Sequence, residues 1–210
     1  MKLLTELVLR HVGQAAVVLG GGESLPEQMK RVPAGAVLLS ANQHGCLLTK
    51  CDYMVVCDDK TRPTFKNLEG KLFALRELGV PVISPRRTMA DYLIERRLPV
   101  NNSGAVAAWA AWIMGCAPIL LAGMDCYVGA TYWHDAKGRS TGRCVPQSTH
   151  LTKWRMLELE TPGAMLRTLG GPLATLFPSY DPAEVVTAWP ARETVLRRAS
   201  PPVARPKRAA

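Results

Sequence analysis

Short apolar runs alternate with helix-like patterns along almost all of this 210-residue chain. The runs are "AAVVL" (15–19), "AVLLS" (36–40), "YMVVC" (53–57), "VPVIS" (80–84), "ILLA" (119–122) and "LATLF" (173–177). Runs this short, with no regular polar alternation, suit strands covered on both faces. Residues 64–78, 88–97, 104–114 and about 150–160 read as helices. The first sets Phe65, Leu68, Leu72, Leu75 and Leu78 on one face and stops at Gly79. Such alternation predicts an α/β fold, a Rossmann-like and mostly parallel sheet with helices on both faces. No internal repeat is present. One domain over 1–189 accounts for the pattern, and 22.9 kDa is enough to bury a core without staples.

Net charge is +9, and residues 190–210 carry six Lys/Arg against one acid, +5 of that total. "PARETVLRRASPPVARPKRAA" is poor in core formers and reads as a flexible, disordered basic tail, either solubilising or able to hold a polyanion. Residues 104–124 are uncharged over 21 positions, near the length of a membrane span, but Gly115 and Pro118 interrupt them. A buried helix, a turn and a buried strand explain them better, so no membrane span is expected. The start "MKLLTELVLRHVG" places Glu6 and Arg10 where a secretory leader needs an apolar centre. None of the six cysteines has CxxC spacing. A cytoplasmic protein with free thiols is the expectation.

Ligands in such sheets bind beyond the carboxyl ends of the strands, and four of these ends are polar. "VVLGGGESLPEQ" (17–28) brings Gly20, Gly21 and Gly22 to a helix start, where Ser24 and Glu27 read as a capping box. The glycines make either a tight turn or a seat for an anion on orphan N–H groups. "SANQHG" (40–45) offers the amides of Asn42 and Gln43. "NNSGAVAAWAAW" (101–112) starts a second helix, with Asn102 or Ser103 as its cap and Gly104 permitting close approach. "LLAGMDCYVGATYWHD" (120–135) follows the most apolar strand with Asp125, Tyr127, Tyr132, His134 and Asp135. Further on, His150 lies at a helix start in "QSTHLTKW".

The set "GGGESL", "ANQ", "NNSG", "AGMDCY" with a second Tyr, and a later "STH" resembles the bacterial family 42 sialyltransferases, over roughly residues 15–178. It is also similar to the broader MptE-like group, the DUF115 fold, which includes phage-encoded members. The resemblance implies a nucleotide-binding transferase. Gly20, Gly21, Gly22, Ser24, Asn42, Asn102, Ser103, Gly104 and Asp125 would hold the nucleotide. Tyr127 and Tyr132 would meet the leaving phosphate, and His150 would deprotonate the acceptor hydroxyl. His134 competes for that role. The family works without a metal, and no metal constellation stands out here. Gly21 and Glu23 replace the family's Asn and Pro, and its arginine before TSG has only Arg96 and Arg97 nearby.

The leading expectation is therefore a glycosyltransferase using a nucleotide-activated sugar donor, with no cofactor. Its acceptor would be a glycan or, through the basic tail, nucleic acid, and a homo-oligomer is compatible with this. The alternatives are an MptE-like diphosphokinase using ATP and Mg²⁺, with Asp58, Asp59, Asp125 or Asp135 near the metal, and a non-catalytic nucleotide- or nucleic-acid-binding module.

Overall fold

The computed structural model describes residues 1–57, 76–100, 102–126, 132–133, 147–186, 189 and 191–200. The helix expected over 64–78 lies almost wholly outside them, as do Asp58, Asp59, Tyr127, His134 and Asp135. The strands are β1 (Lys2–Leu3), β2 (Ala16–Leu19), β3 (Val37–Ala41), β4 (Tyr53–Val55), β5 (Val82–Ser84), β6 (Tyr92–Leu93), β7 (Ile119–Ala122) and β8 (Leu166–Thr168). They form one sheet in the order β1-β6-β5-β4-β3-β2-β7-β8. Every pairing in it is parallel. The α/β expectation holds, with the sheet parallel throughout.

Both faces of the sheet are covered. Ala16 and Val18 point into one core with α2 (Ser103–Ile113), α3 (Gln147–Glu160) and α4 (Arg192–Ala199). Val17 and Leu19 point into the other, with Leu25 of α1 (Leu25–Gln28). This is why β2 reads as an unbroken apolar run: it has no wet face. All eleven residues of α2 are buried. The uncharged stretch 104–124 resolves into α2, a turn in which Gly115 adopts φ 80° as only glycine does at little cost, the cis Ala117–Pro118 bond, and β7. No helix among the described residues is long and apolar enough to cross a membrane.

Three expectations are corrected. Residues 92–93 form β6 rather than part of a helix, because Asp91 ties them to the sheet: its Oδ2 accepts from the Val82 N–H at 2.8 Å, and its C=O accepts from the Lys2 N–H at 2.7 Å. The strand sought at 173–177 is β8, at Leu166–Thr168. Gly170 and Gly171, at φ 135° and 80°, then turn the chain, and Pro172–Thr175 is a 3₁₀ turn. The basic tail is not disordered from residue 190, since Arg192–Ala199 is helical with Val195 and Ala199 buried against the core. Glu160 Oε2 anchors this helix, accepting from Arg198 Nη1 at 3.0 Å and from Arg96 Nη2 at 2.7 Å.

The connections fix where a crevice opens. From β2 the chain passes to α1 on one face and on to β3. From β7, the other neighbour of β2, it passes to α3 on the opposite face and on to β8. Neighbouring strands whose continuations part in this way make the topological switch point at their carboxyl ends.

Candidate functional site

Gly20, Gly21 and Gly22 leave the end of β2 directly against the end of β7. The Gly20 N–H donates to the Ala122 C=O and the Gly22 N–H to the Gly123 C=O, each at 2.8 Å. A Cβ on Gly20 would stand 2.3 Å from the Gly123 carbonyl oxygen, and one on Gly22 would stand 2.3 Å from the Asp125 carboxyl carbon. A Cβ on Gly21 would lie 2.6 Å from the Tyr132 ring and 2.8 Å from the His44 ring. Close approach of the protein's own atoms thus accounts for all three glycines.

The anion at the start of α1 is also internal. Asp125 Oδ2 accepts from the Ser24 N–H at 2.9 Å, and its Oδ1 accepts from the Ser24 hydroxyl. The expected capping box does not form: Ser24 is in the helical region, and its side chain does not cap α1. A carboxylate from 101 residues away takes the place that the box would have filled. The Gln28 side chain reaches back the other way, its Oε1 accepting from the Gly123 N–H at 2.8 Å.

The start of α2 is built differently. Asn102 is its cap, with Oδ1 accepting from the N–H groups of Gly104 (2.9 Å) and Ala105 (3.2 Å). Ser103 Oγ donates to Asn42 Oδ1 and accepts from the Cys57 N–H, both at 3.2 Å. Asn42 sits just beyond β3 at φ 57°, a left-handed conformation that asparagine tolerates. Ser40 holds that turn, donating to the Asn42 C=O at 2.6 Å while its Oγ accepts from the Gly45 N–H at 2.8 Å. The ends of β3 and β4 are thereby tied to the first turn of α2.

His150, in the first turn of α3, joins the same cluster. Its Nδ1 lies 3.2 Å from Asn102 Nδ2. The ring is only 6% exposed. Burial pushes its pKa below the ordinary histidine value, and the nearby Lys153 charge pushes the same way. The ring is therefore neutral at pH 7.

The two helix starts meet at one atom. Cβ atoms built on Gly20 and on Gly104 would each lie 2.9 Å from Met124 Sδ. The structure therefore gathers Gly20–Gly22, Ser24, Asn42, Asn102, Ser103, Gly104, Asp125, Tyr132 and His150 around the carboxyl ends of β2, β3 and β7. Tyr127 lies outside the described residues. His44 was missed by the sequence reading: it is 6% exposed and its ring lies 4.3 Å from that of Tyr132, tilted by 32°. "SANQHG" contained it, but nothing local marks it as the partner of a tyrosine 88 positions on. The Trp133 N–H fastens the same loop to the Gly21 C=O at 3.0 Å. No group of three or more His, Cys, Asp or Glu among the described residues is placed to hold a metal ion.

No protein-family model matches the chain and no curated protein matches it significantly, so membership of the MptE-like group is not supported. Solved structures do match. The sialyltransferase CstII from Campylobacter jejuni, in complex with cytidine-5'-monophosphate, superposes with a TM-score of 0.55 at 16% identity, over 80% of this chain and 85% of that one. The same enzyme in complex with CMP-3FNeuAc gives 0.51 at 14% identity, over 79% of this chain and 85% of that one. At such identities the likeness is one of fold: this chain shares with CstII an α/β architecture built on a parallel sheet.

Proposed function

We propose that the protein is a transferase that uses a nucleotide-activated sugar. The observation that carries this reading is the convergence of Asn42, Asn102 with Ser103, and His150, from three separate segments, on the switch-point crevice of a fold shared with a CMP-binding sialyltransferase. The nucleotide lies at the start of α2, against the polar edges of Asn42 and Ser103. Asp125 supports the opposite wall through Ser24. Tyr132, with Tyr127, meets the departing phosphate, since a phenol O–H can stabilise growing negative charge without adding a charge of its own. His150 lies beside this site, its Nδ1 against the Asn102 amide.

The donor sugar need not be sialic acid. Of Arg96 and Arg97, the arginines nearest to the place of the family's arginine, Arg96 is ion-paired with Glu160. The room beside Gly21, where the family carries Asn, is filled by Tyr132 and His44.

A thermal-shift series with CMP, UDP, GDP and ATP, each with and without Mg²⁺, tests the reading. A ligand bound to the native state at a hundred times its Kd adds about 2.7 kcal/mol. The expected result is stabilisation by a pyrimidine nucleotide without Mg²⁺, lost in Gly104→Leu. Stabilisation by ATP only, and only with Mg²⁺, points to the diphosphokinase instead. Stabilisation by none of the four removes the reading.

A further inference from the structure

His150 meets Asn102 through Nδ1, and the other bonds of Asn102 decide what that contact means. Asn102 Oδ1 accepts two backbone N–H groups, those of Gly104 and Ala105. Turning the amide over would set its NH₂ against both donors and uncap α2. The cap therefore fixes the amide, and its NH₂ must face His150. A group with only hydrogens to offer can bond Nδ1 only where Nδ1 keeps its lone pair. A neutral imidazole carries one proton, so that proton is on Nε2.

We propose that Asn102 is a positioning residue that holds His150 as its Nε2–H tautomer, so that the ring presents a hydrogen-bond donor at Nε2. The helix cap and the ring orientation are then one device: the geometry that starts α2 also sets the polarity of His150. A cationic ring is opposed as well, because an Nδ1–H would point at the Asn102 NH₂. The base role expected of His150 from the sequence needs a lone pair at the reacting nitrogen. Nδ1 is covered by Asn102 and the buried Nε2 carries the proton, so at Nε2 the ring can only donate a hydrogen bond, and the acceptor's proton must be taken by a group other than His150. This catalytic consequence rests on the transferase reading; the tautomer itself does not.

The test is ring-nitrogen NMR of the full chain labelled with ¹⁵N-histidine at pH 7.5. His150 is assigned among the four histidines by the resonances lost in His150→Gln. The expected wild-type pattern is a protonated Nε2 and a bare Nδ1. Asn102→Asp keeps a good cap, because a carboxylate oxygen accepts the same two N–H groups, but offers Nδ1 an acceptor. In that variant the two nitrogens should exchange signatures while the melting temperature stays close to wild type. Asn102→Ser, a cap without an N–H₂ group, should give a mixture of tautomers. A wild-type Nδ1–H pattern overturns the proposal, and so does an unchanged pattern in folded Asn102→Asp. Once a donor is known, Asn102→Asp should lower kcat about 10²-fold with little change in the donor KM. Full kcat alongside an exchanged tautomer overturns the catalytic consequence. A failure to find any donor counts against the transferase reading alone, because the NMR result is independent of turnover.

Discussion

The two helix starts at the switch point look alike in sequence and differ in construction. Each sets glycine beside a polar residue at the start of a helix. At α1 the glycines are filled by the protein's own backbone and side chains, and the anion is Asp125. At α2 the cap is local, and Gly104 faces only a methionine side chain and the cap oxygen. One start is a rigid joint between β2 and β7. The other is closed by side-chain atoms alone, the flexible end of Met124 and the Asn102 amide oxygen. A glycine at a helix start thus has two meanings, and the neighbour opposite its missing Cβ separates them.

Alanine at each glycine breaks this comparison most sharply. Gly20→Ala drives a Cβ into the Gly123 carbonyl oxygen, which no rotamer change relieves. The expected loss is at least the upper end of the about 1–3 kcal/mol typical of overpacking, or roughly 6–12 °C in Tm. Gly104→Ala meets Met124 Sδ, the far part of a flexible side chain, and Asn102 Oδ1 at 3.1 Å. Alanine also favours the helix by up to about 1 kcal/mol. Its Tm should therefore stay within a few degrees of wild type. Equal losses by calorimetry would show that the two starts are packed alike.

Asp125→Ala is the next largest effect. It leaves the Ser24 N–H and hydroxyl without their acceptor, and removing a charge-assisted pair of this kind costs about 1.5–3 kcal/mol. Asp125→Asn should recover part of the loss, because one oxygen still accepts. Denaturant melts of the two variants measure this. An Asp125→Ala protein as stable as wild type would mean that water replaces the carboxylate, and that the α1 start is open to an outside anion after all.

Interior strands were legible because burial on both faces leaves an uninterrupted aliphatic run; β2, β3, β4, β5 and β7 all fall on such runs. β1, β6 and β8 have two or three residues each, too few to show any period. They exist because neighbours accept them, as Asp91 does for β6. α4 has only Val195 and Ala199 turned inward, so its sequence resembles a solvated tail; Glu160 and the core hold it. In the site, Asn102 was legible as a cap because caps are local. The Ser24–Asp125 pair, 101 residues apart, and the His44–Tyr132 stack are products of topology. Their partners only meet once the sheet is formed, so no local pattern could favour them over the capping box that Ser24 and Glu27 spell out.

The smallest expected effect concerns pH and sharpens the α2 side of the comparison. His150 is held neutral, its pKa lowered first by burial and then by Lys153. An unfolded histidine titrates near about 6.5. Because the folded value is lower, the unfolded chain takes up the proton more readily. The stability contributed by this difference is complete above about pH 6.5 and is lost as pH falls from there through the folded pKa. The paired carboxylate Glu184, held down by Arg167, acts in a lower window, below the ordinary carboxylate value of 4.5. The comparison is therefore made between pH 7.5 and 5.5. His150→Gln keeps an oxygen to accept from the Asn102 NH₂ and cannot be protonated. Wild type should lose more Tm over this interval than His150→Gln, and the difference isolates His150 from the other histidines. Identical slopes would mean that the folded ring accepts a proton as readily as the unfolded one. That result would contradict both the burial of His150 and the Asn102 N–H₂ group facing Nδ1.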